Sequence, residues 1–249
     1  MGAKSVSGQS KLLIDIGNTK LKYCWYQEGE SLQDIKGKTI SLDDINTLLL
    51  DKPIVHFCSV KADAYNEHII HLLKAAEVPF YQAHTKALQF GISNSYKTVS
   101  NMGSDRWLAM LGADALSSKD VLVIDAGTAV TCDFVVSRQH IGGWIAPGLK
   151  MLRASVAANA NRVFDFEDVI SALIPGTGTA ECVANGALAQ LVGMAHQAYL
   201  TMQTKSDDFT VIISGGDAGA IVQSMSNNWL VHDNLVLAGL ARISASVES

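Results

Sequence analysis

The chain writes the same acidic hairpin twice. Val121 to Phe134 reads VLVIDAGTAVTCDF: four apolar residues, the carboxylate of Asp125, a Gly-Thr turn, then an alternating run with Val130, Cys132 and Phe134 on one face. That is the pattern of a buried strand, a tight turn and a second, half-buried strand. Leu12 to Tyr23 reads LLIDIGNTKLKY, with Asp15, Gly17 and Asn18 standing 110 residues before Asp125, Gly127 and Thr128. Leu21, Tyr23 and Trp25 alternate after this first turn. Two such hairpins in matching contexts imply two related halves whose hairpin tips face one cleft. Each tip offers a carboxylate and turn N–H groups, and the second adds the Thr128 hydroxyl, a set that suits a phosphate with its metal ion.

The flanking pattern agrees with two halves. Strands are expected near 12–16, 20–27 and 36–40, a helix near 42–50, a strand at 53–58, a helix at 62–76, a strand at 78–83 and a helix at 104–117. The second half gives strands near 121–125, 129–136 and 139–145, a helix near 148–160, a long helix at 180–203, a strand at 210–214, and helices near 217–226 and 234–244. Three hairpin-linked strands followed by alternating helices and strands is the order of a ribonuclease-H-like domain. The expected architecture is therefore α/β, two ribonuclease-H-like domains (a duplicated βββαβαβα) around a central cleft. The polar break Ser117-Ser118-Lys119-Asp120 is the expected hinge, dividing residues 11–117 from 118–249.

Composition removes several classes. The net charge is −5 with no long basic run, which argues against a nucleic-acid partner. Cys24, Cys58, Cys132 and Cys182 form no CxxC pair, so neither a zinc site nor a disulfide framework is expected, and a cytoplasmic location fits. No apolar run approaches the ~18 residues of a membrane span, so no membrane partner is expected. The first ten residues lack an apolar core and read as a disordered or non-native tail, not a signal peptide. His68 and His71 lie three apart on a helix without a third ligand, which reads as a solvated face.

Five stretches carry candidate chemistry. In Asp15–Lys22, Gly17 and Asn18 suit a tight turn, and Lys20 and Lys22 share one face of the outgoing strand. Either this is a hairpin with a solvated lysine face, or Asp15 holds Mg²⁺, directly or through water, while the turn and lysines meet ATP phosphates. In Tyr96–Trp107, YKTVSNMGSDRW, Ser104 reads as a helix N-cap and Asp105 as a first-turn acid, with Trp107, Leu108, Leu111 and Ala115 as the apolar face. Arg106 is disfavoured by that helix dipole and suits an anionic ligand such as a carboxylate. In Ile141–Gly148, IGGWIAPG, the glycines suggest a bulge or close backbone approach, and Pro147 the start of the next helix. Pro175–Glu181 lacks the third glycine of a dinucleotide fingerprint; Thr179 reads as an N-cap, and Gly186, Ala189 and Gly193 would allow close helix approach. In Val211–Ala218, VIISGGDA, the glycines let a flat group such as adenine approach the backbone, and Asp217 reads as a helix-start acid.

DIGNTKLKYCW, GSDRW, DAGTAVTCDF, GGWIAPG and SGGDA, in this order and spacing, resemble type III pantothenate kinase, a branch of the actin, Hsp70 and sugar kinase superfamily. The match runs from about Leu12 to Gly239. The resemblance implies ATP-dependent phosphorylation of pantothenate to 4′-phosphopantothenate, the first step of coenzyme A synthesis. It also implies a homodimer, Mg²⁺, and a monovalent cation, K⁺ or NH₄⁺. Carried over, Asp15, Ile16, Gly17, Asn18, Thr19, Lys20, Leu21 and Lys22 match the first phosphate loop, and Thr128 an ATP contact. Tyr96, Gly103, Ser104, Asp105 and Arg106 match the pantothenate site, with Asp105 as proton acceptor. Asp125 matches the monovalent-cation ligand. Thr179 matches a pantothenate contact that reaches in from the partner subunit. Ser104 stands where relatives often carry Ala or Leu.

Two other readings stand beside this one. A different kinase or phosphatase of the superfamily would act on a sugar or polyphosphate, against which the Tyr96 and Arg106 pairing argues. A non-enzymatic transcription accessory factor would have no need of Asp15, Asp105 and Asp125 together.

Overall fold

The protein is described from a computed structural model, which covers residues 10–159, 170–225 and 228–246. The tail expected at 1–10 and the last residues of the helices expected at 148–160 and 217–226 lie outside the described residues, apart from Ser10. In chain order the first elements are β1 (Lys11–Ile16), β2 (Leu21–Tyr26), β3 (Lys38–Ile40), α1 (Ile45–Leu48), β4 (Ile54–Ser59), α2 (Asp63–Ala75), β5 (Phe80–Gln82), β6 (Leu88–Gln89), β7 (Ile92–Ser93) and α3 (Ser104–Leu116). Then come β8 (Asp120–Ala126), β9 (Ala129–Val136), β10 (Gln139–Pro147), α4 (Leu149–Asn159), α5 (Thr179–Gln203), β11 (Phe209–Ser214), α6 (Ala218–Gln223), β12 (Leu230–Val231) and α7 (Leu235–Ser246).

The chain divides into two compact units: residues 1–90, 96–116 and 234–249, and residues 91–95 and 117–233. The first unit's sheet runs β3-β2-β1-β4-β5, and in the second β10-β9-β8-β11-β12 repeats that order strand for strand. In both, the first three strands are antiparallel neighbours, and the later pairs β1/β4, β4/β5, β8/β11 and β11/β12 are parallel. This is the ribonuclease-H-like arrangement, present twice.

In the first unit Leu12, Ile14, Ile16, Val55 and Phe57 bury one sheet face against Ile69 and Leu73 of α2. The opposite face is covered by α7, which packs on β1, β2 and β4 and lies along α3. This corrects the expected division at 118: the last helix belongs to the first unit, and residues 91–95 to the second. The physical reason is close helix packing. A Cβ on Gly112 would stand 2.5 Å from the Leu235 carbonyl oxygen, and one on Gly239 2.1 Å from that of Leu108. Arg242 Nη1 donates to the Leu111 carbonyl at 2.8 Å and to Asp114 Oδ2 at 2.7 Å. Buried Lys11 Nζ donates to the carbonyl of Ser244 at 2.8 Å.

On β2, Cys24 and Tyr26 are buried on one face, and Trp25 keeps the expected face of Leu21 and Tyr23, opposite Leu12, where it is 40% exposed. On α3, Arg106 through Ala113 are all buried, and Ala115, expected on the apolar face, is exposed. In the second unit Leu122, Ile124, Ala126, Val130, Cys132 and Phe134 meet α5 and α6 residues, the face expected from the alternation. The β10 bulge expected from its glycines falls between His140 and Gly142, whose φ is +133°. Pro147, expected at a helix start, instead ends β10 opposite Ala129.

Candidate active site

In the first unit, β1 delivers Asp15 to the lip of the sheet and residues 17–20 turn the chain back. Gly17 N–H donates to the Lys20 carbonyl at 3.1 Å, and Asn18, Thr19 and Lys20 are exposed. Gly17 does not take a left-handed conformation; the turn has four residues and closes without one. Asp15 is half-buried, opposite Lys22 on β2 and beside Cys58 on β4. Cys58 Sγ donates to Asp15 Oδ1 at 3.6 Å. The chain leaving β4 packs along the turn: Val60 N–H donates to the Ile16 carbonyl at 3.2 Å, and Lys61 Nζ to the carbonyl of Asn18. Lys61 was missed in the sequence. Its signal was positional: a cation two residues beyond the strand that neighbours β1.

The GSDR segment starts α3. Ser104 is the helix's first residue, and its hydroxyl donates to the Ser59 carbonyl at 3.1 Å, so it is not the expected N-cap. Gly103 holds the cap position, its carbonyl accepting from Trp107 N–H at 3.2 Å. Asp105 Oδ1 accepts from the Arg106 N–H at 2.7 Å, and a Cβ on Gly103 would lie 2.5 Å from that oxygen. Glycine is therefore what leaves space for this carboxylate. Buried Arg106 donates through Nη1 to the Tyr96 hydroxyl at 2.8 Å, with its guanidinium 5.8 Å from that ring's centre. The expected Tyr96–Arg106 pairing is thus a direct contact. A cavity of about 730 Å³, lined by Val60, Lys61, Gln82, His84, Met102 and Gly103 among others, opens beside this segment.

In the second unit, Asp125 has the place in β8 that Asp15 has in β1, with Thr131 and Ser214 as its strand neighbours. Its turn is tighter: Gly127 N–H donates to the Ala129 carbonyl at 3.0 Å, and Thr128 is exposed at the tip. Two glycines press on this turn. A Cβ on Gly148 would stand 2.1 Å from the Gly127 carbonyl, and Gly148 N–H donates to the Thr128 carbonyl at 3.0 Å. Gly215, at φ +98°, lies against Ala126, where a Cβ would come within 2.3 Å of the carbonyl oxygen. Asp217 begins α6 but makes no side-chain cap. Burial raises its pKa, against the opposing pull of the Leu149 N–H and the cations Arg153 and Lys150. Its carboxylate thus serves the start of α4.

Thr179 is the exposed first residue of α5, with Gly178 at the cap and no side-chain cap bond, so the expected N-cap role is absent. The helix start is tied instead by Glu181, whose carboxylate accepts from Thr177 N–H at 2.9 Å and its hydroxyl at 3.0 Å, lowering the Glu181 pKa. A Cβ on Gly186 or Gly193 would meet open space, so the close helix approach expected there is not made among the described residues. Among the described residues no three or more His, Cys, Asp or Glu are grouped to hold a metal ion, and no helix is long and apolar enough to cross a membrane.

Residues 11–200 match the family model of type III pantothenate kinase. A type III pantothenate kinase from Pseudoalteromonas atlantica is 33% identical over 233 residues, 92% of this chain and 95% of the relative. Among solved structures, a Campylobacter jejuni protein described as a Baf family transcriptional activator superposes with a TM-score of 0.61 at 20% identity, covering 95% of this chain and 98% of the other. A 2-dehydro-3-deoxygalactonokinase-type protein from Sinorhizobium meliloti gives 0.57 at 12% identity over 95% and 99%. At these identities the structural likenesses speak to the fold alone.

Proposed function

The chain belongs to the type III pantothenate kinase family, and we propose that it carries out that family's reaction, transfer of the γ-phosphoryl group of ATP to the 4′-hydroxyl of pantothenate, the step that opens coenzyme A synthesis. The observation that carries the site assignment is the start of α3, where Gly103 leaves space for the Asp105 carboxylate and buried Arg106 is turned onto Tyr96. Arg106 and Tyr96 hold the pantothenate carboxylate, the guanidinium by charge-assisted hydrogen bonds. Asp105 orients the attacking hydroxyl and accepts its proton. In a loose phosphoryl-transfer transition state that proton leaves late, so positioning counts for more than basicity.

The turn at residues 17–20 and the strand ends beside it, with Lys20, Lys22 and Lys61, receive the ATP phosphates. Asp15 is the residue to hold Mg²⁺, directly or through water. A lone carboxylate with a hydrogen-bonded oxygen suits an ion that takes its remaining ligands from phosphate and water. Bound there, Mg²⁺ would neutralise phosphate charge. In the second unit, Asp125 holds the monovalent cation, and the Thr128 hydroxyl meets ATP. The open face of α5 at Gly186 and Gly193 supports a homodimer in which Thr179 of the partner subunit completes each pantothenate site. A cytoplasmic enzyme is the form this function takes.

An acceptor panel tests the function. With Mg·ATP, pantothenate should release ADP, and hexoses or polyphosphate should not. ADP release driven by a sugar and not by pantothenate would overturn the assignment.

A further inference from the structure

Cys58 is a buried thiol that the reaction as described does not use. It lies on β4, beside Asp15 in the parallel register, and is 1% exposed. Its Sγ donates to Asp15 Oδ1 at 3.6 Å. A thiol is a weak donor, and a carboxylate oxygen is a good acceptor for it.

We propose that Cys58 is a positioning residue for Asp15: its S–H engages Oδ1 and fixes the plane of the carboxylate. The proposal rests on the assignment of Asp15 to the Mg·ATP phosphates. It sets apart two kinds of β4 residue: Phe57, which packs in the core, and Cys58, which serves the site from the opposite sheet face. A neutral donor suits this place. Lys22 already stands opposite Asp15, so a second cation would compete with the metal ion for the carboxylate, and a further carboxylate would repel the phosphates.

The test compares Cys58→Val, which removes the donor and adds one heavy atom, with Cys58→Ser, which keeps a donor, and with Asp15→Asn. Thermal unfolding without ligand establishes that each is folded. Calorimetry then gives the affinity for Mg·ADP, and steady-state assays give the Mg²⁺ requirement and the pantothenate KM. Cys58→Val should weaken Mg·ADP binding roughly 2- to 10-fold, the size of one hydrogen bond's net contribution, and raise the Mg²⁺ needed for half-maximal rate. Its pantothenate KM should not move, and Cys58→Ser should recover most of the affinity. If Cys58→Val binds Mg·ADP as wild type does while Asp15→Asn does not, the positioning role is wrong and the Asp15 assignment stands. If Asp15→Asn also binds and turns over normally, both are wrong. Equal loss in Cys58→Val and Cys58→Ser would overturn the donor role in favour of packing.

Discussion

Asp15 and Asp125 occupy the same position in two sheets: each is the next-to-last residue of the strand flanked by an antiparallel hairpin partner and a parallel neighbour. Their surroundings differ. Asp15 lies between Lys22 and Cys58, whereas Asp125 lies between Thr131 and Ser214, two hydroxyl residues. A cation and a thiol beside one carboxylate, and hydroxyl oxygens beside the other, suit two different ions.

That difference leads to the first prediction. If Asp125 holds a monovalent cation, activity should rise steeply with K⁺ or NH₄⁺ and be low in Na⁺ or Tris alone. Asp125→Ala should lose most activity together with its K⁺ dependence. Full wild-type rates in K⁺-free buffer would contradict this role.

Thr179 makes no cap, so a purely structural role predicts that Thr179→Ala changes little. Shared sites in a dimer predict that it raises the pantothenate KM. Mixing two weakly active variants, Asp105→Asn and Thr179→Ala, and letting their subunits exchange should restore activity, because one site of each mixed dimer has both residues. A mixture no more active than its parents, or an active monomer by sedimentation, would rule out the shared site.

Gly239 touches the Leu108 carbonyl so closely that a methyl group has no room. Gly239→Ala should cost about 1–3 kcal/mol in urea unfolding, the usual size of overpacking. Gly193→Ala faces open space and should fall within about 1 kcal/mol of wild type. Equal effects would show that the α3–α7 contact is looser than described.

Asp217 gives a pH signature. Burial raises its pKa above 3.8 in the folded protein. A raised acid favours folding while protonated; that contribution is full below the unfolded value and is lost as pH rises through the folded one. Unfolding of wild type and Asp217→Asn, followed from about pH 4 to about pH 7, should show wild type losing stability relative to the variant as pH rises. A constant gap, or one of opposite slope, would contradict the shift.

The hairpins could be read from the sequence because their signals are local: alternation with period two and an Asp-x-Gly turn. The return of α7 to the first unit could not, because Gly112 and Gly239 matter only when the two helices are known to touch. The two-residue strands β6, β7 and β12 are too short to leave a period. At the candidate site, the charges of Asp15, Asp105, Arg106 and Asp125 at strand or helix ends are legible in the sequence. The contacts of Lys61 with Asn18 and of Cys58 with Asp15 are not, since they depend on β4 lying beside β1. Ser104 and Thr179 were misread as caps because residue type at a helix start was weighed without backbone geometry.

Asp105 decides the matter. Wild type and Asp105→Asn are given Mg·ATP and pantothenate, 4′-phosphopantothenate is followed by mass spectrometry, and Mg·ADP affinity is measured by calorimetry. Wild type should form the phosphorylated product. Asp105→Asn should bind nucleotide as wild type does and lose about 10²–10⁴ in turnover, the range of an acid–base group. No product from wild type, or near-normal turnover in Asp105→Asn, would contradict the assignment of this site to pantothenate phosphorylation.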